Sequence, residues 1–125
     1  MSLKFYMKYR VVEESVSSGR WTVRISEYAY GLLNGDGEEI FVYHWHPESR
    51  ISPTPFPHAH LKAGANIGLA ALRMAHLPTG WVVLQDVLRV ASEQFGVRLR
   101  NDCETILTRT RKQSLGFFPT ATQGA

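Results

Sequence analysis

All five histidines of this 125-residue chain lie between His44 and His76. They form three groups: His44-Trp45-His46-Pro47, Pro57-His58-Ala59-His60-Leu61 and His76-Leu77-Pro78-Thr79-Gly80. Side chains alternate across a strand with a period of two, so each His-x-His run, extended as a strand, sets both of its imidazoles on one face. Two such runs side by side bring four imidazoles together. Imidazole titrates near pH ~6.5 and works in neutral water as a metal ligand, a general base or a general acid.

Two chemistries fit these residues. In the first, His44, His46, His58 and His60 ligate a divalent metal such as zinc, nickel or manganese, with nitrogens ~2.0–2.1 Å from the ion. In the second, His58 and His60 act as an acid–base pair with His46 and His44 completing the site. One imidazole then removes a proton and the other returns it, as in a metal-independent ribonuclease. A cation to stabilise developing charge would come from Arg50, Lys62 or Arg73, and Tyr43 or Thr79 would orient a phosphate. The catalytic set on this view is His46, Arg50, His58 and His60. Against the metal stands a scarcity of carboxylates, since Glu48 is the only acidic residue between Pro47 and Pro78. Carboxylates are common as ligands and as supports for ligating histidines. A third reading leaves the histidines as polar members of an exposed sheet face or as partners of loop carbonyls.

The elements that must position these residues are legible from patterning. Residues 6–12 are rich in aromatic and β-branched types, and 21–26 alternate apolar with polar, which predicts two strands turned by Ser17-Ser18-Gly19. Asn34-Gly35-Asp36-Gly37 predicts a hairpin of type I′ between residues 28–33 and Glu39–His46. In that second strand Ile40, Val42, His44 and His46 share one face, while Phe41, Tyr43 and Trp45 form the better core face. The four prolines from Pro47 to Pro57 predict a loop returning the chain to His58, so that the two His-x-His runs are neighbours. Lys62 to Gly68 reads as a small-residue loop, and residues 69–76 as a final strand or a short helix, with the strand preferred. Pro78-Thr79-Gly80 is then a turn before the clearest helix, 84–95, with Leu84, Val87, Leu88, Ala91 and Phe95 on its apolar face. Gln85, Asp86, Arg89, Ser92 and Glu93 line its wet side, and Gly96 stops it. Asn101 or Asp102 caps a second helix to about Lys112, which takes in Cys103 as a small buried residue.

Strands followed by helices predict an α+β fold, a mainly antiparallel sheet of four to six strands with two C-terminal helices. A single domain spans 1–115 and a loose tail 116–125. The lone Cys103 removes thiolate-rich zinc patterns and fits a reducing, cytoplasmic compartment. No apolar run is long enough for a membrane helix, and the N-terminus does not read as a secretion signal. A net charge of +3 and a pI near 9.2 favour an acidic partner only mildly. Trp21, Trp45 and Trp81 read as core first and as base-stacking residues second. The glycines match neither a phosphate-binding loop nor a dinucleotide fingerprint. An exposed edge strand would allow pairing with a second copy across a two-fold axis.

Tyr43-His44-Trp45-His46-Pro47, Phe56-Pro57-His58-Ala59-His60 and Leu84-Gln85-Asp86-Val87-Leu88 together resemble the TumE-like toxin family, small bacterial and archaeal proteins encoded beside an antitoxin. The chain departs from that family where His44-Trp45-His46 replaces an Asp-Asn pair in the first strand, and in the spacing of the later histidines. The resemblance implies a toxin-like role against RNA and a cognate antitoxin that masks the site. Two function classes stand: a histidine-dependent ribonuclease or metal-dependent hydrolase cleaving phosphodiesters, and a non-enzymatic module binding protein or nucleic acid.

Overall fold

The computed structural model describes residues 1–49, 54–66 and 75–119. Five strands run in chain order as one antiparallel sheet: β1 (Ser2–Glu13), β2 (Trp21–Leu33), β3 (Glu39–His46), β4 (Thr54–Leu61) and the two-residue β5 (Leu77–Pro78). Two helices, α1 (Leu84–Phe95) and α2 (Cys103–Leu115), complete the α+β fold.

β2 is longer than its two predicted halves because a bulge joins them. Lys8 pairs with Glu27 but Tyr9 pairs with Ile25, so Ser26 is an extra residue, and its Oγ donates to the Lys8 carbonyl at 3.3 Å. The bulge shifts the alternation, so Ile25 before it and Tyr28, Tyr30 and Leu32 after it are all buried. The Asn34–Gly37 hairpin forms with a different turn. Only Gly37 takes positive φ there, at 82°, while Asn34 Oδ1 accepts from the Asp36 and Glu38 N–H groups at 2.9 and 3.0 Å. An asparagine side chain that replaces a backbone acceptor removes the need for left-handed residues at both central positions.

The prolines do not confine 47–57 to a loop. β4 starts at Thr54 and contains Pro55 and Pro57, because prolines accept hydrogen bonds even though they cannot donate. Trp45 Nε1 donates to the Pro55 carbonyl at 3.3 Å, and the Thr79 N–H to that of Pro57 at 2.9 Å. Their irregularity appears as a shift in register: His44 pairs with His58 but His46 with Thr54. Beyond β4, residues 63–65 form a 3-10 turn (Ala63–Ala65), and Pro78, expected in a turn, pairs with His58 in β5. The predicted strand at 69–76 falls for the most part outside the described residues.

The helices cover the aromatic face. Trp45 packs with Tyr28, Tyr30, Val82, Val83, Val87 and Phe118, while Phe41 and Leu32 meet Ala91. Tyr28 and Tyr30 stack at 4.7 Å, and Trp45 meets the edge of Trp81 at 4.5 Å. Of the tryptophans, Trp45 is core, Trp81 partly buried and Trp21 63% exposed.

α1 has its predicted bounds, and Gly96 closes it at φ 69°. Its polar side is less wet than predicted. Arg111 Nε bonds Asp86 Oδ1 at 2.6 Å, Arg89 bonds Glu104 at 2.7 Å, and Gln85 donates to Thr110 and Ser114. α2 runs three residues past Lys112, with Leu107 buried and Leu115 packed against the core. Cys103 is half-buried rather than buried. The tail is not loose from its start either: the Phe117 carbonyl accepts from the Ile25 N–H at 2.9 Å, and Phe118 is buried. Residues 120–125 lie outside the described residues.

Trp45 ties β3 to the helices and its indole ties β3 to β4, so Trp45→Ala should destabilise the fold by about 3–5 kcal/mol. Urea unfolding should show a lower midpoint with an unchanged slope. Gly64→Ala should also destabilise, because an added Cβ would meet the Glu39 carbonyl oxygen at 2.7 Å.

Candidate metal centre

The sheet face away from the helices carries the histidines. Reading the register across the sheet, Tyr6 pairs with Ala29, Ala29 with His44, His44 with His58 and His58 with Pro78. The neighbouring rung places Gly31 beside Val42 and Val42 beside His60. Residues paired in an antiparallel ladder share a face, so His44, His58 and His60 project from adjacent positions of two strands.

All five imidazoles join one cluster. Ring centroids of His44 lie 5.2, 5.7 and 5.2 Å from those of His46, His58 and His60. His58 lies 5.1 Å from His46 and 4.9 Å from His60. His76, whose place was not predictable from spacing, packs 4.9 Å from His58 and 4.6 Å from His60.

One nitrogen each of His44, His58 and His60 lies within 4.8 Å of the others. Three nitrogens on a tetrahedral ion at ~2.0–2.1 Å stand roughly 3.4 Å apart, so the set would have to close up to hold one ion. His46, the predicted fourth ligand, is not in that set although its ring touches two of its members.

The donor atoms are arranged as a ligand set requires. The His58 ring is fully buried, and its Nδ1 stands 3.0 Å from the Phe56 carbonyl, an oxygen that can only accept. Nδ1 therefore carries the proton, and Nε2 presents a lone pair that finds no hydrogen-bond partner among the described residues. A backbone carbonyl that fixes the tautomer in this way is the usual support of a metal-ligating histidine. His44 Nδ1 and His46 Nδ1 are also buried without a partner there. The His60 ring has a backbone hydrogen bond at Ala75.

Burial holds these rings neutral. It pushes His44 down to about 3, helped by His60, His46, His58 and Lys62, and His60 down to about 4, helped by His58, His76 and Lys62. His58 is lowered chiefly by burial, against the Phe56 hydrogen bond. Neutral imidazole is the form that binds metal, and a general acid needs the opposite form.

The predicted supporting residues divide. Lys62 acts electrostatically on His44 and His60. Tyr43 belongs to the other face, edge-on to Phe41 at 5.2 Å, because it alternates with His44; it cannot orient a ligand at the histidines. Thr79 donates its backbone N–H to Pro57, and its buried Oγ1 has no partner among the described residues. Arg50 and Arg73 lie outside the described residues.

The carboxylate missing from the histidine window comes from β2. Glu27 lines, with Tyr6, Ala29, His44, His46 and Ser49, a hollow of about 360 Å³, and with Lys8, His46 and Glu48 an adjoining one of about 190 Å³. No pattern in the sequence signalled it, because its place beside the Ser26 bulge is set by the strand register. A separate apolar hollow of about 390 Å³ on the helix face, lined by Phe5, Met7, Ile25 and Phe118 among others, contains no imidazole or carboxylate.

No helix among the described residues is long and apolar enough to cross a membrane. No protein-family model, curated protein or solved structure matches the chain.

In metal-free protein, the unfolded chain should take up protons on His44 and His60 at and below pH ~6.5 that the folded chain refuses. Stability should be complete above that pH and should fall by on the order of a few kcal/mol as pH drops toward 4. Denaturant midpoints across that range measure it, and His44→Leu should flatten the decline.

Proposed function

We propose that this chain is a metal-dependent hydrolase of phosphodiesters in which His44, His58 and His60 hold a divalent ion such as zinc, nickel or manganese. The observation that carries the reading is the convergence of three neutral imidazoles, His58 and His60 buried and His44 half-buried, with donor atoms within 4.8 Å. Three protein ligands leave a coordination position for water, and a bound divalent ion lowers that water's pKa toward ~7. Support for an anionic substrate comes from Lys62 at the cluster, Lys8 in the hollow beside His46, and the net charge of +3. The likeness to TumE-like toxins directs the choice of phosphodiester to RNA and of partner to an antitoxin.

Burial and neutrality speak against His58 and His60 as a substrate-facing acid–base pair. Their ring centroids are 4.9 Å apart on one side of the sheet, whereas an acid and a base must flank the bond they cleave.

Elemental analysis of untagged protein should find close to one divalent metal per chain. His58→Ala/His60→Ala should lose it and His46→Ala should keep it. RNA cleavage should follow the metal, ceasing in chelator and returning on reloading. A metal-free wild type overturns the proposal, and metal without cleavage of any RNA would favour the binding-module alternative.

A further inference from the structure

We infer that the hollow bordered by Tyr6, Glu27, Ala29, His44, His46 and Ser49 is the substrate site, with Glu27 as the base for the attacking water. This rests on the metal reading above and adds the position and chemistry of the substrate.

The sheet builds the hollow by a contrast in side-chain size. In the rung Tyr6–Ala29–His44, two rings flank a single methyl group. The floor is therefore low on the β2 side of the histidines. On the β4 side, His58 is fully buried and His60 nearly so. Among the described residues, the hollows that reach His44 and His46 are the ones Glu27 borders.

Glu27 is held at that opening. The Tyr6 hydroxyl donates to Glu27 Oε2 at 3.3 Å, and the same carboxylate borders both hollows, sharing His46 and Ser49 between them. Lys8, paired with Glu27 across the ladder, supplies the nearest cation on β1. An open hollow of about 360 Å³ accommodates a phosphodiester with part of one attached group. His46, which is outside the three-nitrogen set, borders both hollows and keeps its imidazole for substrate.

The step balances within these groups and solvent water. Glu27 takes a proton from water as the oxygen forms its bond to phosphorus. The bond from phosphorus to the leaving oxygen breaks on the opposite side, that oxygen takes a proton from solvent water, and Glu27 releases its own proton to solvent.

Inorganic phosphate is the first probe, because its binding to metal-loaded protein needs no turnover. Titration calorimetry should show binding to wild type and at least tenfold weaker binding to Ala29→Phe, whose ring fills the floor, with metal content and thermal unfolding unchanged. Cleavage of bis(p-nitrophenyl) phosphate should fall about 10²- to 10⁴-fold in Glu27→Gln while metal is retained. No phosphate binding to loaded wild type, equal binding by Ala29→Phe, or full activity in Glu27→Gln overturns the inference and leaves the metal centre standing. Loss of metal in Glu27→Gln also overturns it, since Glu27 would then be a ligand. A wild type that holds no metal refutes the centre itself, which separates the two failures.

Discussion

The antiparallel pairing of His44 with His58 is the constraint on which the site depends. Because a strand alternates with period two, that one register sets His46 and His60 on the same face, and a slip by one residue would turn one run away from the other. The register is anchored from the opposite face. Trp45, between the two histidines of β3, is buried among Tyr28, Val83 and Phe118, and its indole reaches the Pro55 carbonyl of β4. Core packing on one side therefore sets the imidazoles on the other.

Placing neutral imidazoles together out of water has an electrostatic consequence. Burial alone disfavours the charged form, and each further imidazole makes a second proton harder to add. His44 bears most of this load because His46, His58, His60 and Lys62 all surround it. The result is a group of lone pairs with too few donors: buried nitrogens of His44, His46 and His58 lack a partner among the described residues. Buried polar atoms are ordinarily satisfied, which makes the concentration of three such nitrogens in one cluster notable.

Bulges distribute the remaining roles. The extra Ser26 in β2 lets Ile25 and Tyr28 both face the core while Glu27 shares the histidine face with Ala29. The irregularity in β4 lets a proline-rich segment stay in the sheet, with Pro55 and Pro57 offering carbonyls to Trp45 and Thr79. Neither device follows from alternation alone.

Strand alternation in Glu39–His46, the i, i+3, i+4 spacing in Leu84–Phe95 and Gly96 at its end depend on local stereochemistry, so the sequence by itself determined the α+β class, the aromatic core face and the shared face of His44 and His46. The same applies to the nearness of the two His-x-His runs, which a short connection enforces. Only the tertiary structure decided which three imidazoles converge, that His76 joins them, that Tyr43 does not, and that Glu27 and Tyr6 border the site. Those facts rest on contacts between residues far apart in the chain, and they turn on bulges, cross-strand register and burial, which no local pattern encodes.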